Sequence, residues 1–145
     1  MGKRERVLRL TVHIDGGARG NPGPAGAGIV VRCRDDGVSL REAGFFLGKA
    51  TNNQAEYSAL IRGLEAAAEL EADEVEVFSD SELLVRQMSG QYRVKNAVLR
   101  SLFDRARKLA ERFGRFAVQH VPREQNTEAD RLVNQAINLQ RDVFE

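Results

Sequence analysis

The chain has 145 residues, 42% of them hydrophobic, and a formal net charge of +1. That is enough for one domain, read over residues 1–145 with a core of about 7–139 and a short C-terminal tail. No apolar run approaches the ~20 residues that cross a bilayer, the basic start MGKRERVLRLTVHID alternates instead of forming a leader, and the single Cys33 excludes an internal disulfide or a cysteine-built zinc cage.

A reduced, cytoplasmic protein with no membrane partner is therefore expected. In chain order, Arg6 to Ile14 alternates as a strand with Leu8, Leu10, Val12 and Ile14 on one face. Gly-Asn-Pro-Gly-Pro then predicts a turn, and AGAGIVVRCR a second strand. Asp35-Asp36-Gly37 signals a hairpin, which sends a third strand through about Phe45 to Leu47. Thr51-Asn52-Asn53 opens a helix, and Ala55, Ala59, Leu60, Leu64, Ala67 and Leu70 carry its apolar spacing. EVEVFSD follows as a fourth strand. Helices are expected over Ser81 to Met88 and Asn96 to Phe113, then the strand FAVQHV and a last helix from Thr127 to Leu139. The order βββαβααβα predicts an α/β fold with a five-stranded mixed sheet, three strands antiparallel and the rest joined by parallel crossovers.

Charge is unevenly spread. Residues 65–82 hold eight acidic residues and no Lys or Arg, whereas residues 86–115 hold nine basic residues against Asp104 and Glu111. The second block reads either as a solvated helix face or as a ridge for a polyanion.

Four carboxylates stand out by position. Asp15 and Asp80 each end a strand, and in open α/β sheets ligands bind beyond the carboxyl ends of strands. If those strands are parallel neighbours, two like charges emerge together, a costly arrangement unless a cation neutralises them. Glu56 and Asp130 lie in early turns of helices, where each also has a plain structural reading as a complement to the macrodipole.

The segments 14-IDGGARGNPGPAGAG-28, 51-TNNQAEYSAL-60, 78-FSDSELLVRQ-87 and 122-PREQNTEADRLVNQA-136 together resemble the type 1 ribonuclease H family over about Leu8 to Ala136. The resemblance implies a ribonuclease H-like fold and catalytic, metal-holding carboxylates at Asp15, Glu56, Asp80 and Asp130. It implies cleavage of the RNA strand of an RNA/DNA hybrid to 5′-phosphate and 3′-hydroxyl ends. Two Mg²⁺ ions, with Mn²⁺ as a substitute, would serve an in-line displacement, and an all-oxygen donor set suits such hard cations better than zinc. Asp15 is then expected to bridge the metals, with Glu56 and Asp80 on the nucleophile side and Asp130 on the other.

The same resemblance places the stretch 16-GGARGN-21, with Gly16, Gly17, Ala18 and Asn21 as the named contacts, and Thr51, Asn52, Asn53 and Gln54 along the hybrid's shallow groove. There, backbone and amide groups can read the 2′-hydroxyl that separates RNA from DNA. Glu82 is a further polar contact, and Arg86, Arg93 and Lys95 are expected on phosphates. Two departures from the family mark the chain out as the subgroup lacking both features. The connection 121-VPREQN-126 is short and lacks the His that many bacterial members carry there, leaving Arg123 to hold a phosphate or aid product release. The segment 89-SGQYRVKNAVLR-100 replaces a basic, tryptophan-bearing protrusion. A monomer is expected. Activity on double-stranded RNA and a non-catalytic hybrid- or RNA-binding module are the rival readings.

Overall fold

The computed structural model describes residues 7–145. Three strands, β1 (Arg9–Ala18), β2 (Gly23–Cys33) and β3 (Ser39–Ala50), form an antiparallel meander, with Val12 opposite Val31 and Ile29 opposite Ala43. The hairpin between β2 and β3 closes with Gly37 at φ +74°, where glycine avoids the cost that a Cβ would incur. Helix α1 (Asn52–Glu69) then crosses the sheet, and β4 (Glu74–Ser79) returns parallel to β1 with Val12 beside Val77. Helices α2 (Glu82–Met88) and α3 (Ala97–Ala110) lead to β5 (Arg115–His120), parallel to β4. A single 3-10 turn (Arg123–Gln125) precedes α4 (Thr127–Leu139).

The sheet has six strands in the order β5-β4-β1-β2-β3-β6, one more than the sequence predicts. The addition is β6 (Val143–Phe144), a two-residue pairing with β3 at Ala43 and Gly44, too short to carry any periodicity. The C-terminal tail is thus packed. The side chain of Asp142 accepts from the Phe46 amide at 2.9 Å, and the Glu145 amide donates to the Glu42 carbonyl at 2.9 Å.

Strand alternation sorts the core into two layers. Leu10, Val12, Ile14, Ile29 and Val31 are buried with Tyr57, Leu60, Ile61 and Leu64 of α1, whereas Val30 packs with Ala129 and Leu132 of α4. Each fully buried Leu or Ile contributes about 1.5–3 kcal/mol to keeping these layers together. Helix α4 sits unusually close to the sheet because β2 and β3 offer glycine beneath it. A Cβ on Gly28 would lie 2.3 Å from the Ala129 carbonyl oxygen, and one on Gly44 would lie 2.4 Å from that of Leu132.

Several boundaries differ from expectation, β2 and β5 by one or two residues and others by more. β1 continues to Ala18 because Gly16, Gly17 and Ala18 pair with Ala27, Gly26 and Ala25, so the glycine-rich stretch extends a ladder before it turns. The expected start of that strand at Arg6 lies outside the described residues. α3 ends at Ala110 rather than Phe113, where the Glu111 amide closes on Arg107 and the Gly114 amide turns back to the Asp73 carbonyl. α2 opens at Glu82, with Ser81 as its cap, accepting from the Leu84 amide at 3.3 Å. Among the described residues, no helix is long and apolar enough to cross a membrane.

Candidate active site

Ile14 and Ser79 are aligned in the β1–β4 ladder, so Asp15 and Asp80 leave adjacent parallel strands side by side. Glu56 reaches them from the second turn of α1. That helix is started by a capping box, in which Thr51 accepts from the Gln54 amide at 3.1 Å and the Gln54 side chain accepts from the Thr51 amide at 3.0 Å. It presses against β1 at Gly16, where a Cβ would meet the backbone of Ala55 and Glu56 at 2.3–2.4 Å. The bareness of Gly16 therefore admits a helix, while Gly17 has open space where its Cβ would be.

The result is a tight acidic cluster. Asp15, Glu56 and Asp80 each offer an oxygen, and these atoms lie within 4.8 Å of one another. Asp130, in the first turn of α4, lines the same cleft and stands close enough to Asp15 to disfavour its ionised form. Asp15 is only 8% exposed. Burial, then the Asp80 charge, the Asp130 hydrogen bond and the charges of Glu56 and Asp130 push its pKa up to about 9. Burial and Asp80 push Glu56 up to about 8, against the hydroxyl of Ser81 and the charge of Arg123, which favour its ionised form. One oxygen of Glu56, Oε2, is buried without a partner. Oxygen-only donors, crowded negative charge and an unpaired acceptor suit a hard divalent cation.

These groups line a cleft of about 340 Å³ that also contains Gly16, Gly17, Ala18, Asn52 and Arg123. Other expected residues support that cleft without lining it. Asn21 accepts from the Asn52 amide at 2.9 Å while Asn52 accepts from the Ala18 amide at 2.8 Å, a reciprocal clamp between the β1–β2 loop and α1. Both asparagines thus spend their oxygens internally, and among the described residues their side-chain amide donors have no hydrogen-bond partner. Thr51 and Gln54 are engaged in the helix cap, and Asn53 is exposed beside them. Glu82 is bound to Arg86 at 2.6 Å, and Arg86 lies over the Tyr92 ring at 5.3 Å. Arg93 and Lys95 are exposed on the α2–α3 connection, away from the cleft.

Asn126, outside the cleft lining, and Asn134, within it, escaped the sequence reading, whereas Arg19 lies in the stretch 16–21 expected along the groove. Asn126 is 2% exposed; its side-chain amide donates to the Ile14 carbonyl at 2.7 Å, and its own carbonyl accepts from the Asp130 amide at 3.1 Å. Its position before Thr127 reads as a helix cap, yet its side chain makes no capping bond. Arg19 and Asn134 face each other across the cleft, and only the fold brings these two ordinary surface residues together. Neither histidine belongs here. His13 stacks on Phe78 with ring centroids 4.9 Å apart, and burial followed by Arg32 lowers its pKa; His120 is exposed.

Comparison with known proteins follows the same geometry. A family model described as reverse transcriptase-like matches residues 13–136. Ribonuclease HI of Halobacterium salinarum is 44% identical over 134 residues, which cover 92% of this chain and 67% of that protein. The bifunctional protein Rv2228c of Mycobacterium tuberculosis is 47% identical over 131 residues, 90% of this chain but 36% of that protein, so the chain spans about a third of the length of its mycobacterial relatives. Among solved structures, LC11-RNase H1 in complex with an RNA/DNA hybrid superposes with a TM-score of 0.84 at 44% identity, covering 90% of this chain and 98% of that one.

Proposed function

The chain belongs to the type 1 ribonuclease H family, and on that premise we propose that it is an endoribonuclease hydrolysing the RNA strand of RNA/DNA hybrids to 5′-phosphate and 3′-hydroxyl ends. The observation that carries this reading is the acidic cluster. Three carboxylate oxygens stand within 4.8 Å of one another, and a fourth acid, Asp130, lines the same cleft. A protein that merely bound a polyanion would gain nothing from acids at that point.

Asp15, Glu56 and Asp80 would hold one divalent cation, and Asp15 with Asp130 a second, with Mg²⁺ the first expectation and Mn²⁺ a substitute. Bound there, such ions supply Lewis-acid activation of water and charge stabilisation on the phosphate and the leaving oxygen. The protein's own groups do the rest. Gly17 leaves open space beside the cleft where a Cβ would stand, and the side-chain amide donors of Asn21 and Asn52, without a bond among the described residues, suit the acceptor side of a 2′-hydroxyl. Arg123 offers only guanidinium donors, so it acts by holding a phosphate beside Glu56 and not as a base. The absence of a histidine in the short 121–126 connection supports slower product release than in relatives that have one, and supports membership of the subgroup lacking it. Arg86, Arg93 and Lys95 are assigned to phosphate contacts of the second strand, with Arg86 weakened in that role by its pairing with Glu82.

The test is cleavage of end-labelled RNA/DNA, RNA/RNA and DNA/DNA duplexes with Mg²⁺, Mn²⁺ or EDTA. Metal-dependent cutting confined to RNA in the hybrid is expected. Cutting of RNA/RNA as well would extend the substrate range, and silence with either metal would favour a binding module.

A further inference from the structure

Several arginines elsewhere on the surface are neutralised by a carboxylate: Arg86 by Glu82, Arg100 by Asp104, Arg105 by Glu65 and Arg131 by Glu145. Two arginines, Arg19 and Arg123, line the cleft itself, and Arg19 stands apart from those pairs. It lines the acidic cleft, yet among the described residues no carboxylate lies within ion-pair distance of its guanidinium. Its one side-chain contact is the Asn134 Oδ1 at 3.5 Å. Asn134 in turn donates to the Asp130 carbonyl at 3.1 Å and touches the Asp130 carboxylate at 3.4 Å.

The backbone beneath Arg19 is fixed from several directions. Its amide donates to the Pro24 carbonyl at 2.8 Å, and the preceding Ala18 amide is held by Asn52 at 2.8 Å. Gly20 takes φ +92°, and a Cβ on Gly23 would lie 2.0 Å from the Arg19 carbonyl oxygen. So the loop holds its shape because glycine occupies both positions, and it presents a pre-positioned guanidinium whose planar fork is largely unspent. Such a group matches a phosphodiester. It stands on the α4 wall, at the Asp130 end of the cluster, while Arg123 stands at the Glu56 end.

We infer that Arg19 binds a backbone phosphate of the strand being cut, next to the scissile one, and that Asn134 is the positioning residue that keeps it there. This rests on the ribonuclease reading of the cleft. The weak 3.5 Å contact with Asn134 suits the role, since it orients the side chain without consuming the donors that a phosphate takes up.

The experiment is hybrid binding in EDTA, by fluorescence anisotropy over about 50–200 mM salt, together with kcat and KM for cleavage in Mg²⁺. Each phosphate contact contributes about 0.9 to the slope of log affinity against log salt. Arg19→Ala is expected to lower that slope by about 1 and to weaken binding about tenfold at low salt, raising KM more than it lowers kcat. Arg19→Lys should restore the slope. Asn134→Ala should weaken binding less, and the double variant should bind no worse than Arg19→Ala, because Asn134 acts on binding through Arg19. An unchanged slope in Arg19→Ala, or additive losses in the double variant, overturns the inference while leaving hybrid cleavage by the parent protein intact. A parent protein that neither binds nor cuts hybrid overturns the ribonuclease reading itself.

Discussion

The side-chain amide of Asn126 donates to the backbone carbonyl of Ile14 at 2.7 Å, across 112 residues of sequence, and this bond fastens the helix carrying Asp130 to the strand carrying Asp15. Removing it leaves a buried carbonyl without its donor, at a cost of about 1–3 kcal/mol. Asn126→Ala is therefore expected to lower Tm in thermal denaturation and to reduce kcat by more than it changes hybrid affinity. Full activity in a correctly folded Asn126→Ala protein would show that the two acids are aligned by other means.

Gly16 and Gly17 make a matched pair of opposites. A Cβ at Gly16 would penetrate the backbone of α1 at 2.3–2.4 Å, while one at Gly17 meets nothing within 4 Å. Gly16→Ala should displace Glu56, destabilise the fold by about 1–3 kcal/mol as overpacking does, and abolish most cleavage. Gly17→Ala should fold as the parent does. Circular dichroism melts of the two variants read the difference directly.

Much of this arrangement was legible in the chain. Asp80 announced itself by following a strand, α1 by the start signal Thr51-Asn52-Asn53, and α4 by its span from Thr127 to Leu139, while Asp15, expected at a strand's end, stands inside β1. What stayed hidden depended on partners remote in sequence. The strand extension through Gly16 and Gly17 exists because Ala27 and Gly26 pair with it, β6 exists because β3 offers an edge, and Arg19 meets Asn134 only after the fold places them together. Local pattern carries no trace of such contacts.

The acidic cluster should make stability depend on pH and metal. Asp15 and Glu56 are pushed up to about 9 and about 8, so the folded protein retains protons that the unfolded chain releases in the ordinary carboxylate range. The unfolded state then binds fewer protons over that interval, and metal-free stability falls as pH rises from about 5 to about 9. Mg²⁺ or Mn²⁺ should raise Tm much more at about pH 8 than at about pH 5. Scanning calorimetry with and without EDTA tests this, and a metal-free Tm that is flat across the range would contradict it.

Arg123 favours the ionised form of Glu56, so its loss should move the Glu56 carboxyl further upward. Arg123→Ala is expected to lower kcat about tenfold, the worth of one charge-assisted contact at about 1.4 kcal/mol, and to shift the acid limb of the pH–rate profile to higher pH. An unaltered profile would separate Arg123 from the cluster.

The most direct measurement compares the parent protein with Asp15→Asn on a hybrid labelled in its RNA strand, with Mg²⁺ titrated from an EDTA baseline and the product ends identified. The account predicts metal-dependent cuts leaving 5′-phosphates in the parent. It predicts no cuts in Asp15→Asn, which should still fold and bind hybrid, and should melt higher without metal above about pH 5, because a carboxyl that must take up a proton to be buried is gone. Cleavage retained in folded Asp15→Asn would contradict the assignment of the cluster as the catalytic centre.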